Sequence, residues 1–220
     1  MDNKPKLQLA LDFFDLPSAL AVAQKAHDQV DVIEIGTPLT KAAGMLAVQT
    51  VRSMCPDTMI LADVKTPDVG GGEAKMCFDA GADWMTVIGA APLDTVRLAL
   101  EEARSRPGKE MFIELTGIRD IIARSKEWRE IGVDRMVYHR GWDEGNASRR
   151  WEQQDLDTIR ELIEDGFKIS VAGGIELDTL DFFKDLDISV FIIGRAIYAN
   201  PDPERSAAGF QERITQLWNS

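Results

Sequence analysis

The chain contains few cysteines, few histidines and no long apolar run. Cys55 and Cys77 are the only cysteines among 220 residues, and they form no C-x-x-C pair. This sparse use of cysteine favours a reducing, cytoplasmic location. No apolar run approaches the ~20 residues that a membrane-spanning helix needs, and the N-terminal residues lack the apolar core and cleavage site of a signal peptide. The sequence therefore predicts a cytoplasmic protein with no membrane partner.

Basic residues are also scarce. Lys and Arg number 25 against 37 Asp and Glu, so the formal net charge is −12 at pH 7. This charge argues against non-specific binding of nucleic acid or of an anionic membrane. An anionic substrate would need a local site of N–H groups and cations. The length suits one domain, and the hydrophobic content of 45% is ordinary for a soluble globular protein.

Eight short apolar runs recur along the chain, and a segment with helical spacing follows each of them. The runs are residues 7–11, 30–35, 58–64, 84–88, 111–115, 135–138, 167–172 and 190–193. They begin roughly 22 to 33 residues apart, which is the length of a strand-plus-helix unit. Each run is almost continuously apolar, as expected of parallel strands that are covered on both faces.

The segments between the runs show the spacing of amphipathic helices. Leu93, Val96 and Leu100 recur on one helical face, and Asp155 is a candidate N-cap for a later helix. Repeated units of this kind predict an α/β protein, a single (β/α)8 TIM barrel domain spanning residues 1–220. A doubly wound open sheet is the structural alternative. The polar segment 140–154 after the sixth strand is longer than an ordinary loop, and it is either a mobile lid or an ordered excursion.

The stretch from Ala62 to Asp68 carries two carboxylates and one lysine in the spacing D-x-K-x-x-D. It follows an apolar run and precedes a glycine-rich turn, so it predicts a buried strand whose end enters a functional site. Asp63 and Lys65 lie two residues apart and therefore share one face of the strand. Pro67 cannot continue a central strand, which places Asp68 in the turn. The structural alternative is a buried ion pair with Asp68 as the N-cap of the next helix.

Most of the predicted strands end in a polar, charged or glycine residue. In chain order these residues are Asp12, Glu34, Asp63 with Lys65, Thr86, Glu114, His139 with Arg140, Gly173 with Gly174, and Gly194 with Arg195. In a (β/α)8 barrel, the carboxyl ends of all strands meet at the catalytic face. We therefore expect these side chains to converge on one site, where Asp12, Thr86 and Arg140 contact the substrate.

Two kinds of ligand site are expected at this face. The paired carboxylates of Glu34 and Asp63 suit Mg²⁺, which would take its other ligands from water and from substrate oxygens; alternatively, one of them simply pairs with Lys65. The glycines and Arg195 after the last two strands suit a phosphate group, although glycines also serve tight turns. His139 is one of two histidines and ends the sixth strand, where it suits proton transfer.

These residues carry a pattern that closely resembles one known family. The matching segments are LALD at 9–12, VIEIGT at 32–37, ADVKTPD at 62–68, ADWMT at 82–86, IELTG at 113–117, VYHR at 137–140 and IGR at 193–195. They resemble the 3-keto-L-gulonate-6-phosphate decarboxylases of the orotidine-5′-phosphate decarboxylase suprafamily. The resemblance covers nearly the whole chain, and the motifs are specific in combination, whereas D-x-K-x-x-D alone would identify only the suprafamily.

The resemblance implies a Mg²⁺-dependent loss of CO₂ from a β-keto sugar-acid phosphate, which gives L-xylulose 5-phosphate through an enediolate. By position, it makes Glu34 and Asp63 the metal ligands and Lys65 the residue that stabilises the enediolate oxygen. It implies a homodimer with active sites at the interface, in which Asp68 enters the partner's site. The remaining implied roles are proton delivery and polar contacts for Glu114 and His139, and phosphate binding for Gly174, Gly194 and Arg195.

The chain departs from the family pattern at a few positions. Trp142 replaces an arginine, Ala172 replaces a threonine, and Gly89 and Ala90 replace cysteines. The departures concern substrate and proton delivery more than the metal or the phosphate. A hexulose-6-phosphate synthase, which joins formaldehyde to ribulose 5-phosphate through a similar enediolate, is therefore the first alternative. A catalytically silent barrel that binds sugar phosphates is the second.

Overall fold

The computed structural model describes residues 4–141, 143 and 150–218. Eight parallel strands form a closed barrel in sequential order, because β1 pairs with both β2 and β8. The strands are β1 Lys6–Leu11, β2 Val32–Ile35, β3 Met59–Thr66, β4 Trp84–Ile88, β5 Glu110–Glu114, β6 Arg135–His139, β7 Lys168–Ala172 and β8 Ile188–Ile193. The predicted single (β/α)8 barrel is confirmed, and the open sheet is excluded.

Helices follow the strands around the barrel. In the described residues they are α1 Leu16–Ala26, α2 Thr37–Ala43, α3 Met45–Met54, α4 Gly70–Asp79, α5 Leu93–Arg104, α6 Ile121–Glu130, α7 Gln153–Glu164, α8 Arg195–Tyr198 and α9 Pro203–Trp218. Short 3₁₀ turns occupy His27–Gln29 and Thr179–Phe183. Over the part of the chain that the structure describes, none of the helices has the length and apolarity to cross a membrane.

Two details of the prediction need correction. Three of the apolar runs begin before the corresponding strands, β2, β3 and β7. The reason is that residues just before a strand, such as Val30 and Phe167, are also buried. Helix α7 begins at Gln153, and its N-cap is Glu152; Asp155 instead completes the capping box by accepting the Glu152 N–H. The connection after β6 therefore ends at residue 152. Residues 142 and 144–149 of this connection lie outside the described residues.

The barrel interior holds a layer of apolar side chains, with one or more from each strand. The layer consists of Ala10, Val32, Leu61, Trp84, Phe112, Val137, Ala172, Val190 and Ile192, with Met59 packed against it. A larger core of leucine, isoleucine, valine and alanine lies between the strands and the helices. Because side chains alternate along a strand, the next inward position after this interior layer lies at the carboxyl end of each strand.

At the opposite end of the barrel, arginines join neighbouring units. Arg52 of α3 donates to the Gly81 carbonyl after α4 at 3.0 Å, and Arg104 of α5 donates to the Gly132 carbonyl after α6 at 2.6 Å. Both glycines have positive φ values of 106° and 88°, and an added Cβ would lie within 2.9 Å of the arginine. Each glycine therefore ends its helix and leaves space for an arginine side chain from the previous unit.

Arg52 is expected to contribute more to stability than an exposed arginine does. Its guanidinium donates to the Pro56 and Thr58 carbonyls, each at 2.8 Å, and pairs with Asp83. Since hydrogen bonds from charged groups are worth ~1.5–3 kcal/mol each and are only partly replaced by water, Arg52→Ala should lower the free energy of unfolding by about 2–4 kcal/mol. Urea denaturation followed by circular dichroism measures this change.

Arg97→Ala is the matched control. Arg97 pairs with Asp94 on the exposed surface of α5, where ion pairs contribute at most ~1 kcal/mol. Equal losses of stability in the two variants would show that the contacts of Arg52 with the neighbouring unit contribute no more to the free energy of unfolding than an exposed ion pair does.

Candidate active site

A cavity of about 580 Å³ opens at the carboxyl ends of the strands. Every residue predicted for the site lines it except Asp68. The lining set includes Asp12, Glu34, Asp63, Lys65, Thr86, Glu114, His139, Arg140, Gly173, Gly174, Gly194 and Arg195. Most of these residues lie two positions beyond an inward apolar residue, so the barrel floor is apolar and its mouth is charged. The fold therefore brings together groups that are far apart in sequence.

Asp68 lies outside this cavity. It is exposed in the turn between β3 and α4, where its carboxylate accepts the N–H of Val69 at 2.8 Å. The residue at the N-cap position of α4 is Val69, with a φ of 56°, and no side chain caps the helix. The alternative interpretation of Asp68 as an N-cap is therefore wrong, and Asp68 does not line the cavity of its own chain.

Lys65 lies in an irregular part of β3. The register with β4 shifts between Ala62 and Thr66, and Lys65 itself has a φ of 48°. This left-handed conformation is uncommon for a residue with a Cβ. The Lys65 N–H donates to the hydroxyl of Thr86 at 2.9 Å. The backbone at the end of β3 is thus held in place by a side chain of β4.

The ammonium of Lys65 lies between two buried carboxylates. It pairs directly with Asp63, lies 3.5 Å from Glu114 and donates to the Thr37 hydroxyl at 2.8 Å. Burial by itself would lower the pKa of Lys65, but the Asp63 and Glu114 carboxylates raise it above its ordinary value. The two carboxylates therefore favour the cationic form of Lys65 in the cavity. The ion pair that was the structural alternative for Asp63 is present, and it is compatible with a further role for that carboxylate.

Glu114 connects Lys65 to His139. The Nδ1 atom of His139 lies 3.0 Å from the Glu114 carboxylate, and the Thr116 hydroxyl donates to the same carboxylate at 2.5 Å. Burial would raise the pKa of Glu114, but His139 and Lys65 lower it below its ordinary value. Burial would likewise lower the pKa of His139, but Glu114 raises it. The pair therefore favours an ionised carboxylate beside a protonated imidazole.

Three carboxylates share the other side of the cavity. The Glu34 carboxylate accepts from the Gln8 amide at 2.6 Å. Burial raises the pKa of Glu34 well above its ordinary value, and the negative charges of Asp63 and Asp12 raise it further. Burial and Asp63 also raise the pKa of Asp12. Bound cations relieve this kind of repulsion, so the donor set fits a divalent metal.

The geometry limits how a metal would be held. In the described part of the chain, no three His, Cys, Asp or Glu side chains converge closely enough to hold a metal ion on their own. Mg²⁺ is commonly bound by one or two carboxylates together with water and substrate oxygens. Glu34 and Asp63, from neighbouring strands, fit that smaller set.

Two glycines follow β7, and the structure requires the absence of a side chain at each for a different reason. A Cβ at Gly173 would lie 2.1 Å from the Arg140 carbonyl, and the Gly173 carbonyl accepts from the indole of Trp151 at 3.1 Å. Packing alone therefore requires glycine at position 173. Gly174 has a φ of 64°, and an added Cβ there would meet nothing within 4 Å. Gly174 and Arg195 both line the cavity, where an anion can approach the backbone.

The departures from the family pattern are distributed unevenly. Ala172 lines the cavity, whereas Gly89 and Ala90 do not. A Cβ at Gly89 would lie 3.0 Å from the Ile118 side chain. The space at Gly89 is therefore limited by the connection that follows β5. Ala172 therefore borders the cavity directly, whereas Gly89 reaches a site residue only through its N–H, which donates to the Glu114 carbonyl at 2.8 Å. Trp142 lies outside the described residues.

The sequence analysis missed three residues that orient the charged groups. Each of them donates a side-chain hydrogen bond to a carboxylate. The donors are Gln8 to Glu34, Thr37 to Asp63 at 2.5 Å, and Thr116 to Glu114. A signal for Gln8 was present, because it is polar in an apolar strand and shares the inward face with Ala10 and Asp12. Thr37 and Thr116 follow the strand ends, where the sequence does not reveal which carboxylate they contact.

Comparison with known proteins agrees with this geometry. The chain is 39% identical over 214 residues to the 3-keto-L-gulonate-6-phosphate decarboxylase UlaD of Salmonella typhi. This alignment covers 97% of this chain and 98% of the relative. Among solved structures, KGPDC from Streptococcus mutans in complex with D-R5P is 36% identical, with a TM-score of 0.94 over 97% of this chain and 99% of that chain.

A third relative carries a different name. The 3-hexulose-6-phosphate synthase of Salmonella typhimurium is 34% identical, with a TM-score of 0.90 over 96% of this chain and 99% of that chain. The family described as orotidine 5′-phosphate decarboxylase / HUMPS matches residues 5–210. The chain therefore belongs to the orotidine 5′-phosphate decarboxylase / HUMPS family, and it is a carboxy-lyase.

Proposed function

We propose that the chain catalyses the Mg²⁺-dependent decarboxylation of 3-keto-L-gulonate 6-phosphate to L-xylulose 5-phosphate and CO₂. One observation carries the proposal: the Lys65 ammonium lies between Asp63 and Glu114, and Glu114 also pairs with His139. A cation and a proton donor thus belong to one buried network. The reaction needs both, because negative charge develops on oxygen and a proton must then reach carbon.

In the proposed reaction, the bond between the carboxylate carbon and its neighbour breaks, and CO₂ leaves. The electron pair stays on the neighbouring carbon and is shared with the carbonyl oxygen as an enediolate. Lys65 stabilises this developing charge, since a preorganised cation in a buried site acts more strongly than in water. Gly174, Gly194 and Arg195 would hold the phosphate at the opposite end of the substrate.

His139 is the proposed source of the proton that replaces CO₂. Because Glu114 raises the pKa of His139, a larger fraction of the imidazole is protonated near neutral pH. Transfer of this proton to the enediolate carbon removes the enediolate charge and gives the pentulose phosphate, whose phosphate group stays ionised. Glu114 remains ionised and stabilises the imidazolium before transfer.

Glu34 and Asp63 are the proposed Mg²⁺ ligands. The mutual repulsion of Glu34, Asp63 and Asp12 supports this assignment. When bound, Mg²⁺ supplies a second positive charge near the oxygens on which negative charge develops. Gln8 and Thr37 orient the two carboxylates for this task.

Measurement of CO₂ release tests the function. The protein with Mg²⁺ should release labelled CO₂ from 3-keto-L-gulonate 6-phosphate, and Glu34→Gln or excess EDTA should reduce turnover by about 10²-fold or more, because the substrate is no longer oriented. The control is Glu110→Gln, which removes a carboxylate at the other end of the barrel and should leave turnover unchanged.

Three outcomes would redirect the proposal. Full activity in EDTA would exclude the metal. Faster condensation of formaldehyde with ribulose 5-phosphate than loss of CO₂ would favour the synthase, to which the solved structure at 34% identity is similar. Binding of sugar phosphates without turnover would favour the silent barrel.

The pKa of His139 gives a direct test of the proton donor. Glu114→Gln should lower the pKa of His139, because the carboxylate that stabilises the imidazolium is lost. The chain has two histidines, so nuclear magnetic resonance titration of the ring protons is readily assigned with His27→Gln. In the wild type, decarboxylation should fall as pH rises through the elevated pKa of His139, and in Glu114→Gln this decline should begin at lower pH. An unchanged titration of His139 would exclude Glu114 as its partner.

We also propose that the active protein is a homodimer in which Asp68 acts in the partner's site. Two features of the chain support this: Asp68 is exposed outside its own cavity, and apolar Val69 and Met76 are exposed nearby on the same turn and helix. The resemblance to the decarboxylase family implies the same arrangement.

Mixed subunits test the shared site. Asp68→Asn and Lys65→Ala should each be nearly inactive, and exchange of their subunits should restore part of the activity, because one site of the mixed dimer keeps both native residues. Light scattering should report a dimer, and differently tagged subunits should verify the exchange. The control is a mixture of Lys65→Ala with Glu34→Gln, which lie in the same cavity and should not complement each other. No recovery after verified exchange would exclude a shared site.

A further inference from the structure

We propose that Thr86 is a positioning residue whose hydroxyl holds the Lys65 backbone and the Asp63 carboxylate, and that it does not bind the substrate. The inference rests on the proposed function, in which Lys65 and Asp63 act on the reacting part of the substrate. It replaces the sequence-based expectation that Thr86 contacts the substrate. Thr86 is buried on the inward face of β4 at the cavity.

The hydroxyl of Thr86 makes two hydrogen bonds within the protein. It donates to the Asp63 carboxylate at 2.8 Å and accepts the Lys65 N–H at 2.9 Å. A hydroxyl has a single hydrogen, and here it is directed to Asp63. Thr86 therefore has no donor left for a substrate oxygen, although its side chain borders the cavity.

The irregular register of β3 explains why Lys65 needs this contact. Ala62 pairs with Met85 and Thr66 pairs with Val87, so residues 63–65 of β3 lie opposite Thr86 alone. The extra residues interrupt the regular ladder of backbone hydrogen bonds. The Thr86 side chain supplies an acceptor for the partly buried Lys65 N–H, whose place in the regular ladder is lost at the bulge.

The backbone conformation of Lys65 also depends on contacts with its surroundings. In the described residues, Lys65 and Val69 are the non-glycine residues with positive φ. Such a conformation persists only where surrounding contacts enforce it. The same hydroxyl also fixes Asp63, which contacts the Lys65 ammonium. Thr86 therefore sets the position of both charged groups relative to each other.

Thr66 offers a matched control in the same region. It is fully buried at the end of β3, and its hydroxyl has no hydrogen-bond partner in the part of the chain that the structure describes. Thr66→Val and Thr86→Val make the same isosteric change, in which a hydroxyl becomes a methyl group. Only the second change removes hydrogen bonds to Lys65 and Asp63.

Steady-state kinetics with the proposed substrate provides the first measurement. Thr86→Val should lower kcat by about 10²-fold with little change in KM, because the reacting groups are misplaced while the distant phosphate contacts remain. Thr86→Ser should retain most of kcat, and Thr66→Val should match the wild type. A raised KM with unchanged kcat in Thr86→Val would instead make Thr86 a substrate contact. Equal losses in Thr86→Ser and Thr86→Val would show that the hydroxyl is irrelevant.

Amide hydrogen exchange provides a second measurement that needs no substrate. With selective ¹⁵N-lysine labelling, the Lys65 amide should exchange faster in Thr86→Val by about tenfold, and Thr86→Ser and Thr66→Val should leave its rate unchanged. An unchanged Lys65 rate in Thr86→Val overturns the inference. If Thr86→Val does not fold, the comparison of Thr86→Ala with Thr86→Ser isolates the same hydroxyl. Wild-type protein that fails to release CO₂ would reject the proposed function, while the exchange rates would still decide the role of Thr86.

Discussion

The alternation of side chains along eight parallel strands is the constraint on which the site depends. Inward positions are apolar in the middle of the strands, as at Leu61, Phe112 and Val137. Two residues later, the same face carries Asp63 and Glu114 at the cavity. A shift of one residue in any strand would exchange its inward and outward side chains, burying a charge against a helix. The packing of the interior thus determines which polar groups meet at the mouth.

The charges at the mouth are stable only as a network. Asp12, Glu34 and Asp63 repel one another, and Lys65 partly neutralises them. Asp63 and Glu114 together raise the pKa of Lys65, and Glu114 also raises the pKa of His139, so the network favours both cations. Buried carboxylates without such partners would take up protons instead. This balance supports the proposed chemistry, because cations already stand where negative charge would develop, and a metal would complete the neutralisation of the remaining carboxylates.

Much of the architecture was predictable because its signals are local. The apolar runs predicted all eight strands, and the polar residues at their ends predicted the composition of the cavity. The errors also have local causes: Glu152 rather than Asp155 caps α7, because both residues are acidic and three positions apart. The bulge at Lys65 was not predictable, since nothing in its sequence reports the register between β3 and β4.

The sequence by itself determined the barrel, the residues at its catalytic face and the family resemblance, because strand periodicity and motifs depend on neighbours along the chain. The tertiary structure decided how those residues are connected. Only contacts between strands show that Thr86 supports Lys65, that Gln8 orients Glu34, and that the Lys65 cation is shared with Glu114. These contacts join residues that are more than 20 positions apart, and their geometry depends on the closure and register of the barrel.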